Sequence, residues 1–244
     1  MDTVLVGIGG ADSGRTAADT AAALIDAGAD TAQPWLVAST PAAVDEPLEH
    51  LAGRRLVIDA DLAGLQLILS RLLRKGLLGS VETAVLPRDR LGYLDRIGVP
   101  RRPADQIRVA VQGRPRLIGV VKDDSGGLCV EQATVGPWPN RPDRVTTGTP
   151  TMPVVTRSGW WLRAVVDDQL LCDGVAHGVS MRRLGTEELE ATVRLGRWRT
   201  KTLRGRSLQL ACDEALITQD GVGRERPRGK RTFWSEPKLW RLCL

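Results

Sequence analysis

The sequence predicts an α/β N-terminal part built on a parallel sheet, followed by a β-rich C-terminal part. In the first 115 residues, short continuous apolar runs alternate with amphipathic stretches, a pattern typical of buried parallel strands covered by helices on both faces. After Gly113, apolar and polar residues alternate and turn residues become frequent, which indicates antiparallel strands. The 244 residues suffice for two hydrophobic cores. We therefore expect two domains, residues 1–114 and 115–244.

Strands alternate with helices through the predicted N-terminal domain. Each strand is a short aliphatic run, and each helix carries apolar residues at helical spacing, as Leu65, Leu69 and Leu72 do. Gly28 and Gly76 follow two of the helices, at the position where glycine commonly ends a helix. In order, the predicted elements are strand Thr3–Ile8, helix Arg15–Ala27, strand Pro34–Ala38, helix Ala42–Ala52, strand Arg54–Asp59, helix Leu62–Lys75, strand Val81–Leu86 and helix Pro103–Gly113.

The predicted C-terminal domain consists mainly of strands joined by tight turns. Short segments that contain acidic residues or glycine lie between strand-like runs, as Asp167-Asp168 does. Such segments indicate hairpins. Residues 136–153 are rich in Pro, Thr and Gly and predict a long surface connection. The predicted strands are Arg116–Val121, Leu128–Ala133, Trp161–Val166, Gln169–Cys172, Val179–Leu184, Ser207–Ala211 and Leu239–Leu242.

Positive charge is concentrated near the C-terminus. The chain has a net charge of +5, but from Arg182 onward 15 basic residues face 8 acidic ones, so the preceding part is slightly acidic. Clustered Arg and Lys favour nucleotide phosphates, anionic lipid surfaces or nucleic acid. The run Arg224–Arg231, followed by Phe233 and Trp234, is the densest basic segment. Its basic and aromatic residues are compatible with RNA or an anionic membrane surface as partner, with the membrane favoured, and also with an exposed loop beside a buried aromatic strand.

The sequence predicts a cytoplasmic protein that attaches to membranes at most peripherally. No apolar run is long enough to span a bilayer, and the N-terminus lacks the basic segment of a secretion signal. The cysteines lie far apart in the sequence, so no pair has the spacing of a zinc or redox motif; they are Cys129, Cys172, Cys212 and Cys243. We expect reduced and mostly buried thiols.

A glycine-rich segment follows the first predicted strand. Residues 9–16 can be written G-x-x-x-x-G-R-T, which differs from the phosphate-binding loop of P-loop NTPases by Arg15 in place of lysine. In such a site Asp59, at the end of a strand, would supply a carboxylate for magnesium. Two other interpretations stay open: a phosphate held at the helix N-terminus near Ser13 and Gly14, and a glycine-rich turn that only begins a helix.

The order of several segments resembles the catalytic domain of the diacylglycerol kinase family of bacterial lipid kinases. The resemblance covers most of the chain and depends more on spacing and pattern than on invariant residues. It is carried by Ser13-Gly14-Arg15 after the first strand, the strand Leu56–Asp59 before a leucine-rich helix, a strand ending at Pro87, the turn Ile97–Pro100, the strand Pro115–Val121 and the pair Asp220-Gly221.

This resemblance implies a three-layer N-terminal domain with an NAD kinase-like fold and a C-terminal β-sandwich, with ATP and a lipid substrate meeting between them. It implies transfer of phosphate from ATP, with Mg²⁺, to a lipid hydroxyl such as that of diacylglycerol. Ser13, Gly14 and Arg15 would then bind the phosphates. Asp61 would be a magnesium partner next to Gly64, and Asp220 would act as the base.

Three departures from the family pattern predict weakened or lost kinase activity. Ala60–Gly64 replaces the family's G-G-D-G-T, Arg88–Arg96 replaces its G-T-x-N-D-F-A, and Val222 replaces the Glu of its D-G-E. The branched side chain of Leu62 would stand where phosphate oxygens should approach the backbone closely. A non-catalytic protein that binds a lipid or a partner is therefore an open alternative, and so is a simple hairpin turn at Asp220-Gly221.

Overall fold

The computed structural model describes residues 2–8, 16–88, 92–137, 159–184, 187–196, 198–223 and 228–244. The chain forms two compact units, one comprising Met1–Gly119 with Pro237–Leu244 and the other Val120–Glu236. We call them unit 1 and unit 2. The chain passes from unit 1 to unit 2 within the strand Pro115–Asp123 and returns to unit 1 within the last strand, Arg228–Cys243. The domains expected at 1–114 and 115–244 stay a prediction, because contacts within a folded chain do not test independent folding.

Unit 1 contains a parallel sheet with the strand order β15-β4-β3-β1-β2. The predicted parallel sheet with intervening helices is thereby confirmed. Its elements are β1 (Asp2–Ile8), α1 (Ala17–Asp26), β2 (Thr31–Val37), α2 (Pro41–Glu49), β3 (Arg55–Ala60), α3 (Leu62–Arg74), β4 (Thr83–Pro87), α4 (Gly92–Ile97), α5 (Pro103–Gln112), the start of β5 (Pro115–Asp123) and the end of β15 (Arg228–Cys243).

Helices cover both faces of this sheet because its strands are apolar on both faces. Leu5 and Val57 project to one side, where they pack with Leu24 of α1 and Ile107 of α5. Alternate residues of the same strands project to the opposite side, and there Ile8 approaches the first turn of α3. Side chains of α3 and α2 are joined by an ion pair. This arrangement places the N-termini of α1 and α3 at the carboxyl edge of the sheet.

Unit 2 is built from antiparallel strand pairs, as the sequence predicted, around an apolar cluster. Trp160 and Phe233 are among the buried side chains of that cluster. Together with the end of β5 and most of β15, its strands are β6 (Leu128–Cys129), β7 (Gln132–Pro137), β8 (Trp160–Val166), β9 (Gln169–Ala176), β10 (Gly178–Arg183), β11 (Leu189–Arg194), β12 (Thr200–Gly205), β13 (Ser207–Gln219) and β14 (Val222–Gly223).

The structure differs from the sequence-based expectation in several elements. Helix α4 and strands β11, β12 and β14 were not predicted, and the predicted strand Leu128–Ala133 is interrupted between β6 and β7. Most of the predicted connection at 136–153 lies outside the described residues. Within the described ranges, no helix is long and apolar enough to cross a membrane. Three cysteines are buried and Cys212 is half-buried.

Candidate functional site

The carboxyl edge of the parallel sheet in unit 1 holds a mostly buried ion pair. Asp59 lies near the end of β3 and is 7% exposed, and Arg88 directly follows β4. The Nε of Arg88 donates to Asp59 Oδ1 at 2.8 Å, and its Nη1 donates to the carbonyl oxygen of Ile8 at 2.8 Å. The guanidinium therefore bridges the ends of three neighbouring strands, where α/β proteins commonly bind ligands.

Thr20 of α1 contacts the second oxygen of the same carboxylate. Its side chain is fully buried, and its hydroxyl lies 3.5 Å from Asp59 Oδ2. Because this hydroxyl has one hydrogen and lies closer to the carbonyl oxygen of Thr16, at 3.2 Å, the firm hydrogen bond to Asp59 is the one from Arg88. Sequence analysis considered Asp59 but missed Arg88 and Thr20; the position of Arg88 just after a strand was the available signal, because ends of parallel strands meet at one edge.

Asp61 and Gly64, two of the predicted binding residues, begin helix α3. Asp61 is exposed and is the N-cap of the helix, with its Oδ1 accepting the backbone N–H of Gly64 at 2.8 Å. An N-cap carboxylate satisfies an amide that a phosphate would otherwise bind, and it brings negative charge to the helix N-terminus. The roles predicted for these residues in phosphate and magnesium binding stay predictions.

Gly64 lies where α3 packs closely against strands β1 and β3. A Cβ atom at this position would lie 3.0 Å from Ala60 Cβ and 3.1 Å from Ile8 Cβ. These distances are shorter than an ordinary contact between carbon atoms. The one glycine in the segment Ala60–Gly64 is therefore explained by the close approach of α3 to strands β1 and β3.

The remaining predicted phosphate-binding residues, Ser13, Gly14 and Arg15, lie outside the described residues. The description resumes at Thr16, which is the N-cap of α1. Its hydroxyl accepts the N–H of Asp19 at 3.1 Å, and the Asp19 carboxylate accepts the N–H of Thr16 at 3.0 Å. This reciprocal capping box fixes where α1 begins.

Asp220, the predicted base, lies in a hairpin turn of unit 2 between β13 and β14. It is 2% exposed, and the φ angles of Asp220 and Gly221 are both positive, at 49° and 84°. Two-residue hairpin turns with positive φ at both positions favour Asp-Gly. The turn interpretation of this pair is confirmed.

The Asp220 carboxylate also binds the backbone between β6 and β7. Its oxygens accept the N–H groups of Val130, Glu131 and Gln132 at 2.6, 2.9 and 3.0 Å. Burial raises the pKa of Asp220 to about 6, although these three backbone hydrogen bonds oppose that shift. Burial and the nearby Asp220 raise the pKa of Cys129 well above its usual range, so this thiol stays protonated and inert.

Acidic side chains elsewhere in unit 2 are held in a similar way. Burial raises the pKa of Asp123, but hydrogen bonds from Ser125, Gly127 and Gln219 outweigh it and leave the pKa below its usual value. Arg231 lies beside this carboxylate at 3.6 Å. Over the part of the chain that the structure describes, no group of three or more His, Cys, Asp or Glu side chains is arranged to hold a metal ion.

Comparisons with known proteins identify the fold. No family model matches the sequence, and no curated protein does. A crystal structure of a provisionally assigned diacylglycerol kinase from Bacillus anthracis is similar at a TM-score of 0.73 and 11% identity, over 99% of this chain and 97% of that one. An NAD kinase from Archaeoglobus fulgidus, in complex with ATP, is similar at a TM-score of 0.58 and 11% identity, over 100% and 94% of the two chains.

A yeast NADH kinase complexed with NADH is similar at a TM-score of 0.51 and 9% identity, over 99% of this chain and 82% of that one. The likeness therefore extends along nearly the whole of this chain at very low identity. The chain has the fold of the diacylglycerol kinases and NAD kinases, as the resemblance in its sequence predicted.

Proposed function

We propose that this chain is a divergent diacylglycerol kinase-like protein that keeps the kinase fold without phosphoryl transfer and works by binding. The observation that carries this proposal is the N-terminus of α3. There Asp61 caps the helix through the N–H of Gly64, at the position corresponding to the family's glycine-rich phosphate segment. A triphosphate approaching this end would meet a carboxylate and an amide that is already hydrogen-bonded.

The ion pair between Asp59 and Arg88 supports the same proposal. A magnesium ion at the sheet edge would need a carboxylate oxygen free to bind it, but Arg88 donates to one oxygen of Asp59 and Thr20 lies beside the other. The cation already paired with Asp59 therefore weighs against Mg²⁺ at this carboxylate, and so against ATP bound here as a magnesium complex. This pairing also argues against the P-loop NTPase interpretation, in which Asp59 would bind the metal.

Thermal unfolding with and without millimolar Mg-ATP or Mg-GTP tests the proposal, combined with an assay for phosphate transfer from labelled ATP to diacylglycerol in mixed micelles. A ligand that binds the native state raises the unfolding temperature by mass action. We expect no shift and no labelled lipid. A shift with ATP and labelled lipid would contradict the proposal, whereas a shift with GTP would favour the P-loop interpretation.

An active lipid kinase is the second candidate, and Asp220 is the observation in its favour. Its pKa of about 6 is close to the value that suits a base at neutral pH. Its role would be to accept the proton of the lipid hydroxyl. If labelled lipid does form, Asp220→Asn should abolish turnover in a protein that remains folded; unchanged turnover would remove Asp220 from the mechanism.

A further inference from the structure

The outward face of the hairpin formed by β8 and β9 in unit 2 is apolar except for its middle row. Alternate residues of β8, such as Leu162 and Ala164, are buried in the apolar cluster of unit 2, so the residues between them project outward. Residues opposite one another in antiparallel strands share a face. We call this outward set the hairpin face. Its rows, from β8 to β9, are Trp161–Val175, Arg163–Asp173 and Val165–Leu170.

Three large apolar side chains are exposed on the hairpin face. Val175, Leu170 and Trp161 are 65%, 49% and 42% exposed. Of the eight large apolar side chains that are exposed in the described part of the chain, three therefore lie on two neighbouring strands. A shift in strand register pairs Val165 with Leu170 and skips the buried Leu171, which keeps Leu170 on this face. Contiguous exposed apolar residues of this kind mark interaction sites.

The middle row of the hairpin face carries one charge of each sign. Arg163 Nε lies 3.9 Å from Asp173 Oδ2, and the two side chains remain 59% and 44% exposed. At this distance the two groups attract each other without forming a hydrogen bond. The guanidinium therefore keeps donors, and the carboxylate keeps acceptors, for a further partner.

Charges of both signs surround the hairpin face. On the side of β13, the Asp213 carboxylate accepts the N–H of Trp161 at 3.4 Å. On the side of β12, Lys201 Nζ donates to the carbonyl oxygen of Leu170 at 2.7 Å. Asp168 is exposed in the turn that joins β8 to β9. A surface of mixed charge has little attraction for an anionic bilayer or a polyanion, so the apolar rows and the central ion pair determine which partner fits.

The basic run Arg224–Arg231 lies partly outside the described ranges, which omit residues 224–227. Arg231 is 4% exposed and donates to Asp124 at 2.8 Å, so its charge is used inside unit 2. Lys230 is exposed on β15, which is separated from β8 by β13. The membrane interpretation of this run stays a prediction, and the hairpin face does not depend on it.

We propose that the hairpin face binds a second copy of this chain across a two-fold axis that runs along the strands, between β8 and β9. Such an axis exchanges the two strands, so β8 of one copy lies over β9 of the other. Apolar side chains then cover apolar ones, and the central charges pair twice. The facing residues are Arg163 with Asp173, Trp161 with Val175, and Val165 with Leu170 of the other copy. This dimer is independent of the function proposed for unit 1.

Sedimentation velocity of the whole protein without nucleotide tests this interface, over about 1–100 µM protein. We expect a monomer–dimer equilibrium that shifts toward the dimer as concentration rises. Arg163→Glu would place two carboxylates over each other at both ends of the two-fold pair, and Asp173→Arg would place two cations there. Because like charges that face each other across an interface are strongly unfavourable, each variant alone should dimerise at least about thirtyfold more weakly.

An equimolar mixture of the two variants gives the sharper result. In a mixed dimer, the reversed residue of each chain faces an opposite charge on the other chain, so Arg163→Glu with Asp173→Arg should dimerise within about threefold of the wild-type protein. Recovery in the mixture also shows that both variants are folded. A wild-type protein that stays monomeric at every concentration would overturn the proposal. Loss of the dimer in each variant without recovery in the mixture would overturn it as well.

The apolar rows are tested by Leu170→Ser with Val175→Ser, which should weaken dimerisation at least about tenfold. The matched control is Leu36→Ser with Leu117→Ser, which removes two apolar side chains of unit 1 that are 71% and 50% exposed. It should change dimerisation less than about twofold. Equal losses in the two double variants would contradict the proposal. A monomeric wild-type protein that binds phosphatidylglycerol vesicles, and loses this binding in Leu170→Ser with Val175→Ser, would instead assign the hairpin face to a membrane.

Discussion

Asp61 in unit 1 and Asp220 in unit 2 use the same chemistry in opposite settings. Each carboxylate accepts hydrogen bonds from backbone N–H groups, one for Asp61 and three for Asp220. Asp61 is exposed at a helix end, whereas Asp220 is 2% exposed in a turn. Because Asp220 is buried, its hydrogen bonds serve to hold the backbone between β6 and β7 in place. The same contact at an exposed helix end instead marks where α3 begins.

Asp220→Ala should have the largest effect on stability. It would leave three N–H groups between β6 and β7 without their acceptor, and each buried unsatisfied donor costs about 1–3 kcal/mol. We expect the free energy of unfolding, measured in urea, to fall by more than about 3 kcal/mol. Asp213→Ala is the control on the same strand, because its carboxylate accepts one long hydrogen bond of 3.4 Å from Trp161. Similar losses of unfolding free energy in both variants would show that the three hydrogen bonds of Asp220 contribute no more to stability than the single one of Asp213.

Breaking the Asp59–Arg88 pair should have the next largest effect. Arg88→Met would leave the Asp59 carboxylate, 7% exposed, without its cation, and the loss of one partner of a mostly buried pair destabilises by about 2–3 kcal/mol. The control Arg108→Met removes a 66% exposed partner and should cost less than about 1 kcal/mol. Chemical denaturation of both variants measures the difference. A stable Arg88→Met protein would mean that the pair is not structural and leaves Asp59 open to a ligand.

The pH dependence of stability sharpens the contrast between the two aspartates. The pKa of Asp220 is raised to about 6 in the folded chain, against about 3.9 when unfolded. The folded state therefore binds more protons between these values, and the contribution of Asp220 to stability is lost as pH rises from about 4 to about 6. Relative to Asp220→Asn, the wild-type protein should lose about 2 kcal/mol over this range. A difference that is constant with pH would contradict the raised pKa.

Gly64→Ala should give the smallest of these effects. Alanine favours a helix by about 1 kcal/mol over glycine, but its Cβ would lie 3.0–3.1 Å from Ala60 and Ile8. We expect crowding to outweigh propensity and to lower the unfolding free energy by about 1 kcal/mol. If the variant is instead more stable than the wild-type protein, α3 can move away from the sheet and Gly64 is not a packing requirement.

The sequence predicted the fold of unit 1 well because its strands are continuous apolar runs and its helices are amphipathic. It missed β11, although Leu189, Ala191 and Val193 alternate with polar residues there, and it missed β12, in which Leu203 alone is apolar. Helix α4, with six residues, is too short to show a helical period.

The contacts of the site were harder to predict than its elements. Arg88 meets Asp59 only because β4 lies beside β3 in the sheet, and Asp220 binds amides 88 to 90 residues away in the sequence. Such contacts depend on strand order and on turns that close over long distances. A turn at the Asp-Gly pair was one of the interpretations left open by the sequence, since that preference is local; the hydrogen-bond partners of Asp220 were not predicted.

The most direct test of the proposed loss of phosphoryl transfer compares wild-type protein with Asp61→Asn in thermal unfolding with Mg-ATP. If Asp61 is a cap that keeps phosphate away, the variant should be stabilised by Mg-ATP at least as much as the wild-type protein, because asparagine caps the helix without negative charge. Asp105→Asn, which removes a first-turn carboxylate from α5, should behave like the wild-type protein. Stabilisation of the wild-type protein by Mg-ATP that disappears in Asp61→Asn would contradict the proposal and make Asp61 a magnesium partner.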